Sequence, residues 1–290
     1  MDDESSKLVD CGIALLKKSN SKKYVVVNEP LAIETVNNVL ALKYNRPTDA
    51  LIKKLFAELE KSIFAADFDK SNTSKGIAWQ YLVLGKLMDF NDKTVFDFVN
   101  GIYSNSPRLP DWTKSAIINI KSYGNLKILS WIDNTLENVK DDVDVIQKFL
   151  QGLIQNYVLV PSQKMRPDGI YISKLNMSKY WTLLISAKVY TENLSGEKVE
   201  MDKRSTNWDL TYYQKDGTKL KEKFNNVCRN YEHCGSLRIH FIFPGVASSY
   251  ISNRGGCHVE GNDVIMYIDK TLLNRYFPED YVNYLKKILS

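Results

Sequence analysis

Two short stretches of this chain hold residues whose types and spacing suit chemistry. Arg166-Pro167-Asp168-Gly169-Ile170 sets a carboxylate at the start of an apolar run, and Leu184-Ile185-Ser186-Ala187-Lys188 sets a hydroxyl and an ammonium two residues apart within another. Alternate residues of a strand share a face, so Ser186 and Lys188 point together while Ile185, Ala187 and Val189 point into the core. If the two runs pair as a hairpin, Asp168 lies close to Lys188. A carboxylate beside an ammonium at a strand end suits metal-assisted hydrolysis: the acid holds a divalent ion, and the lysine positions water or offsets charge on a phosphorane. The plain alternative is a salt bridge that does no chemistry.

The elements that must position these groups follow from the pattern after Gln155. Strands are expected at Tyr157 to Val160, Gly169 to Ser173, Trp181 to Tyr190, Leu237 to Phe243 and Val264 to Ile268, with helices at Lys219 to Tyr231 and Pro278 to Ile288. Helix, three strands, helix, strand is an α/β order with a mixed sheet. Upstream, a strong helix is expected from Lys75 to about Met88. Residues 91 to 155 read as helical with breaks at Ser104 to Asp111 and near Gly124, and with an acidic patch at Asp133, Glu137, Asp141, Asp142 and Asp144 that would repel a phosphate backbone. Thr48 caps a further helix reaching about Phe64.

The first 47 residues read as a small winged-helix-like unit. An amphipathic helix is expected over Lys7 to Lys17, a hairpin carries Tyr24-Val25-Val26-Val27, and Pro30 opens a helix to Leu42. Its basic turn would be Lys17, Lys18, Lys22 and Lys23, which equally suit a solvated hairpin.

Composition excludes several classes. With 44% apolar and 11% aromatic residues, 290 residues can bury a core, which excludes full disorder. No apolar run approaches the roughly 18 residues a bilayer span needs. The start Met1-Asp2-Asp3-Glu4 is acidic where a secretory signal would be basic and then apolar, so the expected compartment is intracellular. The net charge of +5 is compatible with a polyanionic partner and is too mild to require one. Cys11, Cys228, Cys234 and Cys257 show no tight pairing pattern, so reduced thiols are expected. The histidines and cysteines between 228 and 258 lack the knuckle spacing of a structural zinc site.

The Pro167-Asp168 and Ser186-x-Lys188 pair resembles the PD-(D/E)XK nuclease superfamily, in which Pro-Asp begins one strand and an acid-x-Lys triplet occupies the next. Ser186 stands where that family places its second carboxylate. Gly76-Ile77-Ala78-Trp79-Gln80 resembles the family's first-helix motif, with Gln80 in place of the final Glu. Across the chain, Asn28-Glu29-Pro30-Leu31-Ala32-Ile33-Glu34, Gly235-Ser236-Leu237-Arg238-Ile239-His240 and Asp263-Val264-Ile265-Met266-Tyr267-Ile268 resemble the carboxy-terminal part of Crinkler-type proteins. That resemblance implies a winged-helix connector before a restriction-endonuclease-like domain, and DNA or the nucleus as target. The amino-terminal NTPase module common in that family has no counterpart here, since GxxxxGK[ST] is missing. A role as a secreted effector rests on this resemblance alone.

The resemblance implies a mixed-sheet restriction-endonuclease-like α/β core with a helical insertion: 1–47 as connector, 48–155 as helical region including the first core helix at 75–88, and 156–290 as nuclease-like core. It implies Asp168, Lys188, Ser186 and Gln80 as the catalytic set, with Asp168 as ligand of a magnesium ion if the site is active. Two expected acids have become neutral, which removes about two charges from the metal site; Glu192, Asp202 and Asp209 are the acids that could compensate. Lys198, Lys203, Arg204 and Lys219, interleaved with Trp208, Tyr212 and Tyr213, suit a backbone-tracking nucleic-acid surface, and a solvated mixed-charge loop suits them equally. The reading is a nuclease-like nucleic-acid-binding module of weak or no catalytic activity. The alternatives are an active magnesium-dependent endonuclease using Asp168 and Lys188, and a protein-interaction module.

Overall fold

The computed structural model describes residues 15–19, 22–26 and 72–283, less the short stretches 127–128, 131–132, 137, 163–164, 191–194, 211–217, 245–255 and 280–281. The chain divides into two compact units, Met1–Ser71 and Asn72–Ser290. In the first, strands β1 (Leu15–Ser19) and β2 (Lys22–Val26) pair antiparallel, with Lys18 opposite Lys23 and Lys17 opposite Tyr24. The valine-rich strand therefore recruits Leu15 and Leu16 as its partner, and the helix expected to run to Lys17 does not extend this far. Pairing overrides a weak helical period. The expected helices at 31–42 and 48–64 lie outside the described residues.

The second unit is mixed α/β. Helix α1 spans Asn72–Leu87 and α2 spans Val95–Ile102, the latter capped by Thr94, whose hydroxyl accepts from the Asp97 N–H. Strand β3 (Ser122–Gly124) follows, then α3 (Asp142–Gln151), which Asp141 caps and Gly152 ends in a left-handed turn at φ 74°. The helical pattern expected over 91–155 is corrected beyond its two expected breaks, at Ser104 to Asp111 and near Gly124. The region breaks into short helices, single 3-10 turns and an edge strand too brief to show a period.

Strands β4 (Tyr157–Leu159), β5 (Gly169–Lys174) and β6 (Lys179–Tyr190) form an antiparallel meander. Helices α4 (Gly196–Ser205) and α5 (Thr218–Cys228) lead to β7 (Glu232–Pro244), which runs parallel to β6. β8 (Cys257–Glu260), β9 (Asp263–Ile268) and a single-turn α6 (Leu273–Tyr276) complete the described elements. The sheet order is β3-β4-β5-β6-β7-β9-β8, so β6 and β7 lie inside it and are covered on both faces.

Strand alternation sorts the two faces. Ile185, Ala187, Ile239, Phe241 and Met266 share one face, and Trp79 of α1 packs there at 6.4 Å from Phe241 and 5.7 Å from Phe243. At Gly169 a Cβ would stand 2.9 Å from a terminal methyl of Leu84 of α1, so the helix side chain packs against the bare start of β5 and would have to shift to admit a larger residue. The opposite face carries Ile170, Ile172, Tyr180 and Leu184, buried under Val143, Ile146 and Phe149 of α3 and Phe224 of α5. Further along β6 and β7 that same face turns polar, with Ser186, Arg238 and His240 all buried.

Candidate functional site

Asp168 sits one residue before β5, where the register pairs Gly169 with Ile185. Its backbone N–H donates to the Ile185 carbonyl at 2.8 Å, which anchors the residue to β6. Its side chain then meets Lys188 on the face shared with Ser186. Lys188 Nζ donates to Asp168 Oδ2 at 2.8 Å and to Oδ1 at 3.1 Å, and Oδ2 also accepts from the Ala187 N–H at 2.8 Å. The pair is partly open, with side-chain exposures of 33% for Lys188 and 21% for Asp168. Burial pushes the Asp168 carboxyl above its ordinary range. The Lys188 ammonium and the Ala187 N–H pull it back, and the negative charge of Asp202 adds to the rise.

Gln80 reaches the same place from α1, donating from Nε2 to the backbone carbonyl of Asp168. It touches the site through the main chain and not through the carboxylate. Ser186 is fully buried, unlike a residue at an open cleft, because α4 lies over it.

The residue that covers Ser186 is Asp202. Ser186 Oγ donates to Asp202 Oδ1 at 2.8 Å, and His240 Nδ1 lies 3.0 Å from Oδ2. A carboxylate only accepts, so the Nδ1 of His240 carries the proton of that bond. On the far side, His240 Nε2 meets Thr206 Oγ1 at 3.0 Å, Arg238 Nε donates to the same hydroxyl at 3.2 Å, and Arg238 also donates to the Lys203 carbonyl. Burial pushes the Asp202 carboxyl up, but His240, the Ser186 bond and the Lys188 charge outweigh it and hold it below the ordinary carboxylate range.

Asp202 is expected only as one of three acids that could compensate, in a stretch that equally suits a solvated loop, and the structure corrects that loop. Residues 196–205 are a helix, with Ser195 accepting from the Lys198 N–H at its start and Lys203 and Arg204 in its last turn. The available signal was spacing: Val199, Asp202 and Thr206 lie on one helical face and are buried, whereas Met201 is exposed. Because two of those three are polar, the stripe does not read as a core face.

The basic residues are dispersed. Lys198 and Arg204 are exposed on α4, and Lys219 is exposed on α5, where it lines an open groove of about 460 Å³ together with Glu222, Lys223 and Asn226. Lys203 is paired with Glu260. Lys223 bridges Asp141 at 2.9 Å and Asp144, so part of the acidic patch expected to repel phosphate is already neutralised. His233 packs at 4.9 Å from the Tyr180 ring, and His258 meets Glu260 at 3.3 Å.

The donors do not fit a magnesium ion as arranged. That ion takes hard oxygens in octahedral geometry at about 2.1 Å. Both oxygens of Asp168 already accept from one ammonium, and both oxygens of Asp202 are engaged by Ser186 and His240 beneath α4. Among the described residues no group of three or more His, Cys, Asp or Glu is placed to hold a metal. Comparison of the chain with family models, curated proteins and solved structures finds no match. No helix among the described residues is long and apolar enough to cross a membrane.

Proposed function

We propose that residues 72–290 form a restriction-endonuclease-like module that binds nucleic acid without cleaving it through Asp168, and that the β1–β2 hairpin belongs to a winged-helix connector. The observation that carries this reading is the convergence of Asp168, Lys188 and Gln80 where β5, β6 and α1 meet, within the order helix, three-stranded meander, helix, parallel strand. Ser186 supports the loss of chemistry, since its neutral hydroxyl is spent on Asp202. The exposed cations Lys198 and Arg204, on the helix that covers the site, supply the positive charge for a phosphate backbone. In this reading DNA is the partner and the nucleus the place of action; an effector role in a host rests on the Crinkler resemblance.

The test combines binding with cleavage. Short single- and double-stranded DNA should bind with an affinity that falls steeply as salt rises, and Lys198→Glu with Arg204→Glu should weaken it. Incubation with magnesium or manganese should give only background product, equal for the wild type and Lys188→Ala. Product that depends on Lys188 would establish the active endonuclease instead. DNA binding without salt dependence, or none, would favour a protein-interaction role.

A further inference from the structure

We propose that Lys188 is the resident cation of the Asp168 carboxylate, occupying the position a divalent ion would take, so that the site excludes magnesium and manganese while the lysine is present. The inference deepens the reading above, on which it rests, by naming what separates this site from metal-dependent hydrolysis. It reverses the role expected for the lysine, from a group that assists a metal to one that replaces it.

The geometry is specific. Nζ stands within hydrogen-bond distance of both carboxylate oxygens, at 2.8 and 3.1 Å, and thus spans the bite through which a carboxylate would chelate a metal. Both residues are fixed by the β5–β6 register and by the bond from the Ala187 N–H to Oδ2, so the ammonium is held at high effective concentration. A divalent ion about 2.1 Å from the same oxygens would lie close to Nζ and be repelled by it in a partly desolvated site. The neighbouring acid offers no relief. Asp202 is only 4% exposed and turned to Ser186 and His240, so among the described residues the carboxylate at the opening is the one already occupied. If Nζ leaves, Asp168 keeps one backbone donor, loses its counter-charge and still feels the negative field of Asp202. That is an environment that draws in a cation.

The test is manganese binding, read from the electron paramagnetic resonance of the free ion and from thermal melting. It uses the wild type, Lys188→Met, Lys188→Gln and Lys188→Met combined with Asp168→Asn, all as full chains. The wild type should show no saturable binding at about 1 mM Mn²⁺. Lys188→Met should gain one site, bound at least about tenfold more tightly, with a melting point raised by about 4 °C when Mn²⁺ is at roughly ten times its Kd. The added Asp168→Asn should abolish that site. Lys188→Gln keeps a donor toward the carboxylate and should gain a weaker one, which preserves the test if the methionine variant does not fold. Wild-type binding as tight as either variant's overturns the inference, as does a folded variant that gains no site or a site that survives Asp168→Asn. None of these outcomes is read through DNA, so the inference stands or falls apart from the DNA-binding reading, which fails if the wild type shows no salt-dependent binding.

Discussion

The two faces of β6 and β7 are made by alternate residues of the same strands and are held by different physics. Against α1, Ile185, Ile239, Phe241 and Phe243 meet Trp79 and Leu84 in an apolar layer whose attraction is non-directional and grows with buried area. Against α4, Ser186, Arg238 and His240 meet Asp202 and Thr206 through bonds that exist only at the right distance and angle. Each such bond contributes about 1 kcal/mol net, while an unpaired buried partner costs more than that. The first face therefore supplies stability, and the second fixes α4 in one register over the strand that carries Lys188. The lesson is that the polar face sets geometry and the apolar face tolerates variation in it.

The largest expected effect breaks the apolar face. Trp79→Ala should destabilise the Asn72–Ser290 unit by about 4 kcal/mol, seen as a lower urea midpoint. Next, Asp202→Ala strips partners from Ser186 and His240 and should lose about 3 kcal/mol. The comparison is sharpened by adding His240→Leu and Ser186→Ala to Asp202→Leu. If directional bonds are the issue, replacing these three residues with apolar groups should recover part of the loss, whereas no second change should rescue Trp79→Ala. A triple variant as unstable as the single one would mean the polar set is needed for packing itself.

A smaller effect separates the two carboxylates by pH. Asp202 has a lowered folded pKa, so its contribution is present above the ordinary carboxylate pKa and is lost as pH falls through the folded value. Asp168 has a raised folded pKa, so the native state takes up its proton first and this group favours folding as pH falls through that window. Asp202→Asn should therefore flatten the acid limb of stability against pH, and Asp168→Asn should steepen it; matching slopes would refute the opposite directions. The smallest change is Ser186→Ala, with a loss of about 1 kcal/mol in the same denaturant assay and no change in DNA affinity.

Much of the Asp168–Lys188 site was legible because it is local. Two strands separated by a short turn pair by default, their alternation fixes which side chains share a face, and Pro167-Asp168 marks where the first begins. The main elements after Gln155 were legible for the same reason: their apolar runs are long enough to show a period. Strands β3 and β8, with three and four residues, are too short to do so, and they exist because a sheet edge was there to pair with. Helix α4 carried its caps in the sequence, but its buried face is mostly polar, so periodicity pointed to solvent.

What the sequence by itself determined is the mixed α/β order and the adjacency of a carboxylate and an ammonium at the start of a hairpin. What only the tertiary structure decided is where the charges find their partners: Asp202 on Ser186 and His240, Lys203 on Glu260, Lys223 on Asp141 and Asp144, and both oxygens of Asp168 on one lysine. The physical reason is range. Backbone period and hairpin pairing are fixed by near neighbours, whereas a charge is neutralised by whichever group the packed fold brings within a few ångströms, often many tens of residues away.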